Sequence, residues 1–354
     1  MTIPKKNVAI LGATGMVGQR FVSLLQNHPF FCISGLVGSE RSRGKKYAEI
    51  CRWLLKDQLP SETGALELRG VGEFGEAREE DIEIIFSALP SDIAKEVEPI
   101  FAKKGYIIFS NASAYRMDDD VPLVVAEINA SHMELVEYQR ERRGWSGGII
   151  TNPNCSTIIM SLVLKPIYDA FGIESVIVST MQAASGAGYP GLASIDIIDN
   201  VIPFIEKEEE KMHNEGRKIL GDFLDGIVKN ASFPISASCQ RVATLDGHLL
   251  DIHISLHNPS DIDTIQKVLT QFGKSCSHLP TAPKETIIVT SDPLRPQPRL
   301  DRDAGRGMSI TVGRIRKDNV LKNGVKLTVL GHNAIRGAAG QSILNAEWWV
   351  KYGL

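Results

Sequence analysis

Asn7-Val8-Ala9-Ile10-Leu11-Gly12-Ala13-Thr14-Gly15-Met16-Val17-Gly18 decides the fold class of this chain. The first five residues suit a buried strand, the next seven form a glycine-rich loop, and Gln19 to Gln26 follow as an amphipathic helix. Glycines let a backbone turn tightly and approach a pyrophosphate, whose charge the start of a helix favours. The spacing is GxxGxxG rather than GxGxxG, but it stands between a first strand and a first helix, as dinucleotide binding requires.

Working outward, Phe31 to Val37 is a second apolar strand, and it ends in Gly38-Ser39-Glu40-Arg41-Ser42-Arg43. The adenosine ribose of a dinucleotide lies at this point. Ser39, Arg41 and Ser42 suit the extra phosphate of NADP, while Glu40 keeps NAD open. Ile82 to Phe86 and Tyr106 to Phe109 read as further strands, ending in Ser87-Ala88-Leu89-Pro90 and Ser110-Asn111-Ala112-Ser113. In an open parallel sheet the ligand crevice lies at the carboxyl ends of the strands, so these small-residue loops face either a nicotinamide or plain solvent. The amino-terminal part is expected to be a doubly wound α/β domain.

The 354 residues suffice for two domains, and a net charge of −3 with interspersed signs points to neither nucleic acid nor a membrane surface. No apolar run approaches the roughly 20 residues of a spanning helix, and the amino terminus lacks the apolar segment of a signal peptide. The expectation is a cytoplasmic protein. Cys32, Cys51, Cys155, Cys239 and Cys276 are scattered and odd in number, which suggests free thiols rather than disulfides or zinc.

One of those cysteines has distinctive company. Thr151-Asn152-Pro153-Asn154-Cys155-Ser156-Thr157 places Cys155 on a tight turn before the apolar run Ile158 to Phe171, expected to be a buried helix interrupted near Pro166. A helix start favours the thiolate, so Cys155 is expected to be a nucleophile of lowered pKa. Beyond it the pattern changes to strands such as Ser175 to Thr180 and Leu249 to His257 with longer connections, which suggests a mixed sheet and a domain boundary near 155. Gln182 precedes the glycine-rich Ser185-Gly186-Ala187-Gly188 and is suited to point into a site beside a cofactor. Asp246-Gly247 turns the chain to deliver His248, an acid/base candidate, and Arg241 suits a bidentate carboxylate clamp. His253 and His257 share a strand face about 13 Å apart at roughly 3.3 Å per residue, too far for one metal ion. The charged run Glu206 to Glu215 reads as a solvated helix in which Lys207 and Lys211 repel and Lys211 and Glu215 attract. Sequence physics does not rank its acids.

GATGMVGQRF, SNASAYRM, NPNCST, QAASGAGYPG, EEEKM, RVATLDGH and HNAIRGAAG occur in this order over nearly the whole chain. Together they resemble the aspartate-β-semialdehyde dehydrogenase family, most similar to its archaeal and fungal branch. The resemblance implies a fold related to glyceraldehyde-3-phosphate dehydrogenase: an NADP-binding Rossmann-type domain over 1–154, completed by a carboxy-terminal helix in 334–354, and an α/β catalytic and dimerisation domain with a mixed sheet over 155–333. It implies Cys155 as the acyl-thioester nucleophile, His248 as acid/base, Gln182 orienting the substrate and Arg241 binding its α-carboxylate. Arg116 and Lys211 match phosphate-binding positions with Asn154 beside them, and Glu209 matches the acid that meets the substrate amine, with Glu208 and Glu210 as neighbours in the same run. Cofactor contacts are implied at Gly12, Thr14, Gly15, Met16, Val17, Gly18, Ser39, Arg41, Ser42, Ser87, Ser185, Gly186 and Asn333. No metal is implied. Ala243 and Thr244 depart from the Pro and Val frequent in the family, outside the inferred chemistry.

The implied reaction is NADPH-dependent reduction of L-aspartyl 4-phosphate to the semialdehyde and phosphate, by a homodimer or homotetramer. Two paralogues on the same fold, a malonyl-CoA reductase and an N-acetyl-glutamyl-phosphate reductase, share the cofactor loop and cysteine but not the EEEKM and NPNC segments together. A non-catalytic NADP-binding redox sensor is the reading from another class. It has no need of Arg241, His248 and Gln182 together.

Overall fold

The computed structural model describes residues 4–76 and 81–353; residues 1–3, 77–80 and 354, which fall in the expected NADP-binding unit, lie outside them. Six strands form one parallel sheet: β1 (Lys6–Leu11), β2 (Phe31–Gly38), β3 (Leu68–Gly70), β4 (Ile82–Ser87), β5 (Ile107–Ser110) and β6 (Gly148–Thr151), in the order β3-β2-β1-β4-β5-β6. Val8, Ala9, Ile10 and Leu11 are wholly buried, as expected of a central parallel strand covered on both faces. The order reverses between β1 and β4, which opens the crevice where dinucleotides bind.

The first helix spans Met16–Leu25 and so begins three residues before the expected Gln19. Gly15 at its N-cap already turns the chain in an extended conformation, which makes Met16 to Gly18 the first helical turn. Gly12 has φ +73°, and a Cβ there would lie 2.7 Å from the Ala88 carbonyl oxygen. At Gly18 a Cβ would lie 2.3 Å from the carbonyl of Gly12, so the loop and helix pack this closely only as glycine.

The second sheet is mixed. It comprises β7 (Ile173–Ala183), β8 (Val201–Ile202), β11 (Ile235–Val242), β12 (His248–Leu256), β13 (Ile287–Val289), β14 (Ile310–Lys317) and β15 (Gly324–Gly331), in the order β13-β14-β15-β12-β7-β11-β8. β9 (Asp222–Leu224) and β10 (Ile227–Lys229) form a separate ribbon. Leu250, Ile252 and Ile254 are buried while Leu249, Asp251 and His253 are half-buried, the alternation expected of a strand with one covered face.

Helix Cys155–Phe171 packs on this sheet and runs unbroken through Pro166, against expectation. Its burial explains why: Ile158 to Leu164 and Pro166 to Ile167 are all enclosed, and packing outweighs the lost backbone hydrogen bond. The last helix, Gly340–Tyr352, follows a π-helical turn at Ile335–Ala339 and returns to the six-stranded sheet. There Ile343, Ala346 and Trp349 join Val8, Phe21, Phe86 and Phe109 in one core. Each large side chain so buried contributes about 1.5–3 kcal/mol. Among the described residues no helix is long and apolar enough to cross a membrane.

Candidate active site

The turn that carries the expected nucleophile leaves β6 at Thr151 and enters its helix at Cys155, the first helical residue. Asn154 caps that helix: its side-chain oxygen accepts from the N–H groups of Ser156 at 3.0 Å and Thr157 at 3.1 Å. Adjacent strands of the mixed sheet supply the rest. Arg241 of β11 pairs in register with Gln182 of β7, and His248 of β12 lies one step beyond the Leu249–Met181 pair, so all three gather at one end of the sheet. The Cys155 Sγ lies 3.2 Å from His248 Nε2. A cavity of about 510 Å3 opens onto the cysteine; Asn154, Gln182, Arg241, Arg116, Glu208 and Lys211 also line it, with Met16 and Val17 at the cofactor side. His248 is fully buried behind the thiol.

One residue orients two of these groups. The Ala183 N–H donates to His248 Nδ1 at 3.0 Å, and the Ala183 carbonyl accepts from Arg241 Nη1 at 2.8 Å. With Nδ1 accepting, the neutral imidazole carries its proton on Nε2, facing sulfur. Burial, with the charge of Arg241 and His332 adding to it, holds the imidazole down to about 3, so it stays neutral. Burial also pushes the Cys155 thiol up to about 12, reinforced by the Glu208 carboxylate and opposed by Arg241, the Ser156 N–H and Arg116. The thiol pKa expected to fall at the helix start is therefore raised in the unliganded site. Desolvation outweighs the helix start and the opposing cations.

Helix Glu208–Ile219 forms the facing wall. It is not solvated all round: Glu208, Met212, Glu215 and Ile219, four, seven and eleven residues on from the first, form a buried stripe. Glu208 accepts from Asn154 Nδ2 at 2.8 Å and lies 3.6 Å from Lys211 Nζ. Glu209 instead is exposed and accepts the Cys239 N–H at 3.0 Å, outside the cavity wall. Of the run Glu208 to Glu210, the acid lining the cavity is Glu208, one residue before the expected position, because helix phase turns Glu209 away; Glu206, before the helix, also lines it. Nor does Lys211 pair with Glu215. Glu215 accepts from Arg116 Nη1 at 3.0 Å and from the Asn154 N–H at 2.6 Å, tying the arginine to the nucleophile turn. Arg116 Nη2 donates to the Asn111 carbonyl at 2.7 Å.

On the cofactor side, Thr14, Gly15, Met16 and Val17 line a second cleft of about 630 Å3 with Arg52, Leu89 and Tyr189. Asn333 donates to Ser185 Oγ at 2.8 Å and accepts the Gly247 N–H at 2.9 Å, which joins the two loops beside Cys155. A Cβ at Gly186 would lie 2.6 Å from Arg241 Nη1 and 3.1 Å from His248 Cε1, so a larger residue there would displace the Arg241 guanidinium. Ser39 and Arg41 are exposed at the end of β2. Ser42 is not brought to the surface with them: it is buried, and its hydroxyl donates to the Ser39 carbonyl at 2.7 Å. Ser87 is likewise fully buried, its hydroxyl turned toward Glu98, whose carboxyl burial pushes up to about 7 against the Ser110 and Ser87 hydroxyls. Neither Ser42 nor Ser87 is among the residues lining the two clefts. Among the described residues no group of three or more potential metal ligands converges, and all five cysteines are free.

A thiol paired with a buried imidazole, set at the mouth of a glycine-loop dinucleotide cleft, defines a cysteine-dependent dehydrogenase. Family models for the semialdehyde dehydrogenase NAD binding domain and dimerisation domain match residues 7–136 and 164–336. The aspartate-semialdehyde dehydrogenase of Methanothermobacter thermautotrophicus is 50% identical over 343 residues, 96% of this chain and 98% of that protein. That of Schizosaccharomyces pombe is 44% identical over 360 residues, 99% of each. The crystal structure of aspartate semialdehyde dehydrogenase with NADP from Candida albicans matches with a TM-score of 0.88 at 38% identity, covering 97% of this chain and 98% of that one. The chain belongs to the aspartate-semialdehyde dehydrogenase family. The paralogous reductases and the non-catalytic sensor are not favoured.

Proposed function

We propose that this chain catalyses the reversible NADPH-dependent reductive dephosphorylation of L-aspartyl 4-phosphate to L-aspartate 4-semialdehyde and phosphate, on the route to lysine, threonine, methionine and isoleucine. The observation that carries this reading is the convergence of Cys155, Gln182, Arg241, Glu208, Lys211 and Arg116 on one cavity whose rim is the glycine loop. Arg241 takes the α-carboxylate and Glu208 the amine, with Gln182 orienting the acyl group between them. Arg116 and Lys211, beside Asn154, receive the phosphate. This charge pattern complements an amino-acid acyl phosphate.

Cys155 sulfur attacks the acyl carbon, the carbon–oxygen bond to phosphate breaks, and the thiol proton leaves on the phosphate. Arg116 and Lys211 stabilise the charge that develops on the leaving oxygens. NADPH, when bound, supplies the hydride that reduces the thioester. Collapse of the resulting thiohemiacetal breaks the carbon–sulfur bond and releases the aldehyde, while His248 Nε2–H donates to the departing sulfur, which then takes a proton from solvent. Because the Ala183 N–H occupies Nδ1, His248 serves as a donor to sulfur, in place of the acid/base role read from the sequence.

The cleft fits NADP. Gly12 and Gly18 allow the close loop that a pyrophosphate needs, and Ser39 and Arg41 stand exposed where a 2′-phosphate lies. Glu40, the acid that kept NAD open, folds back so that a Cβ at Gly70 would lie 2.3 Å from its Oε1. The dimerisation-domain match supports a homo-oligomer, which we read as a homodimer or homotetramer; the place of action we propose is the cytoplasm. The two sheets support the division into 1–154 with 334–354 and 155–333.

The test is reduction of NADP by purified protein with L-aspartate semialdehyde and phosphate, beside malonate semialdehyde with CoA and beside NAD. Phosphate-dependent reduction of NADP is expected. A CoA requirement would transfer the reading to the malonyl-CoA reductase, and silence in every arm would overturn it.

A further inference from the structure

Among the described residues Arg336 is the largest fully buried side chain. Its Nη2 donates to Glu127 Oε1 at 2.6 Å, and both side chains have zero exposure. Nε and Nη1 of the same guanidinium are buried without a hydrogen-bond partner. A buried ion pair seldom stabilises a fold over apolar residues of similar volume, and one with unpartnered nitrogens does so less still. Its location suggests another use. Arg336 sits in the π-helical turn Ile335–Ala339, and π-turns inside helices gather at functional sites. The next residue, Gly337, backs onto the nucleophile: a Cβ there would lie 2.6 Å from Cys155 Cβ and 3.0 Å from Cys155 Cα. A second tether holds the turn, since Asn152 Nδ2, on the nucleophile turn itself, donates to the Ala338 carbonyl at 3.2 Å. Glu127 belongs to the turn Ala126–Asn129, just after Val124, whose N–H bonds the Thr151 carbonyl at the end of β6.

We propose that the Arg336–Glu127 pair is a positioning device for Cys155, holding the π-turn so that the Gly337 backbone fixes where the Cys155 side chain points. Both ends of the clamp reach the nucleophile turn, Glu127 through Val124 and Thr151, Arg336 through Gly337 and Ala338. The inference rests on Cys155 being the nucleophile.

Two variants test it. Gly337→Ala puts a methyl group against Cys155, and the Arg336→Met, Glu127→Leu double variant removes both charges while keeping the volume filled. For each, kcat and KM of phosphate-dependent semialdehyde oxidation are measured with the rate at which iodoacetamide modifies the Cys155 peptide. Displacing a reacting atom by about 1 Å costs about 100-fold, so kcat should fall by that order with semialdehyde KM changed less than about twofold. Cys155 modification should change in parallel, and Arg336→Lys, which keeps the charge beside Glu127, should recover part of kcat. Wild-type kcat and modification in either folded variant overturn the proposal. If the double variant does not fold, Gly337→Ala and Arg336→Lys decide alone. Cys155→Ala is run beside them: full turnover there breaks the nucleophile reading, whereas its inactivity with wild-type Gly337→Ala breaks only the positioning.

Discussion

Cys155 and Cys239 lie on two sides of the same construction, and burial treats them alike. It pushes the Cys155 thiol up to about 12 and the Cys239 thiol up to about 11. The Glu208 carboxylate adds to the rise in both, but their contacts differ. Cys239, wholly buried in β11, lies 3.6 Å from Met212 Sδ and gives its N–H to Glu209. It serves as a small hydrophobe. Cys155 keeps part of its side chain open to the cavity, faces an imidazole N–H at 3.2 Å, and has Arg241 and Arg116 opposing its burial. Cys155, the nucleophile we propose, is therefore marked by access, a donor and nearby cations rather than by a low resting pKa.

The largest effect that could break this contrast is the simplest. Cys155→Ala should lower turnover about 10,000-fold or more, with NADP binding intact, while Cys239→Ala should keep kcat within about threefold. Steady-state rates and cofactor titration check both, and an inactive but folded Cys239→Ala would erase the distinction. Next comes pH. The thiolate is the reactive form, and a thiol held near 12 gains thiolate about tenfold per pH unit below that value. Iodoacetamide modification of Cys155 in the unliganded protein should thus climb about 1,000-fold from about pH 6 to about pH 9 without a plateau, while native Cys239 stays unmodified. A plateau below about pH 8 would show that the helix start prevails after all.

The neighbouring acids sharpen the contrast one step further, since Glu208 faces Cys155 and Glu209 serves Cys239. Losing a charge-assisted contact of about 1.5–3 kcal/mol, Glu208→Ala should lower kcat/KM for the semialdehyde about 100-fold. Glu209→Ala should change it less than about threefold. Equal losses would return the amine contact to the position the family motif implied.

These two acids also show where sequence stops being informative. The glycine loop was legible because strand, turn and helix are contiguous, and their chemistry is carried by backbone. Cys155, Gln182, Arg241 and His248 were legible as residue types at turns and strand ends. Glu208 was not separable from Glu209 by composition, yet the apolar Met212 and Ile219 share its helix face and carry the phase that selects it. The raised thiol pKa was illegible because it depends on burial assembled from several strands and a helix. So was the Arg336–Glu127 pair, whose members stand 209 residues apart. The Ser42 hydroxyl was illegible for a related reason: at a strand end it goes to the acceptor that packing places nearest, here the Ser39 carbonyl.

The smallest effect tests the donor that Cys239 lacks. If His248 only presents Nε2–H to sulfur, the glutamine side chain of a His248→Gln variant keeps an amide N–H near that place and loses mainly the acceptor for the Ala183 N–H. kcat should then fall no more than about tenfold, against about 100-fold in His248→Ala, because one hydrogen bond to a charged group is retained. A proton shuttle makes the opposite forecast, since an amide cannot exchange a proton and glutamine would be no better than alanine. Burial sharpens the choice: an imidazole held near 3 adds no acidic limb to the kcat profile between about pH 5 and about pH 8, where an ordinary histidine titrates. A limb in that window that disappears in His248→Gln would reinstate acid/base catalysis and require the ring to leave the Ala183 N–H during turnover.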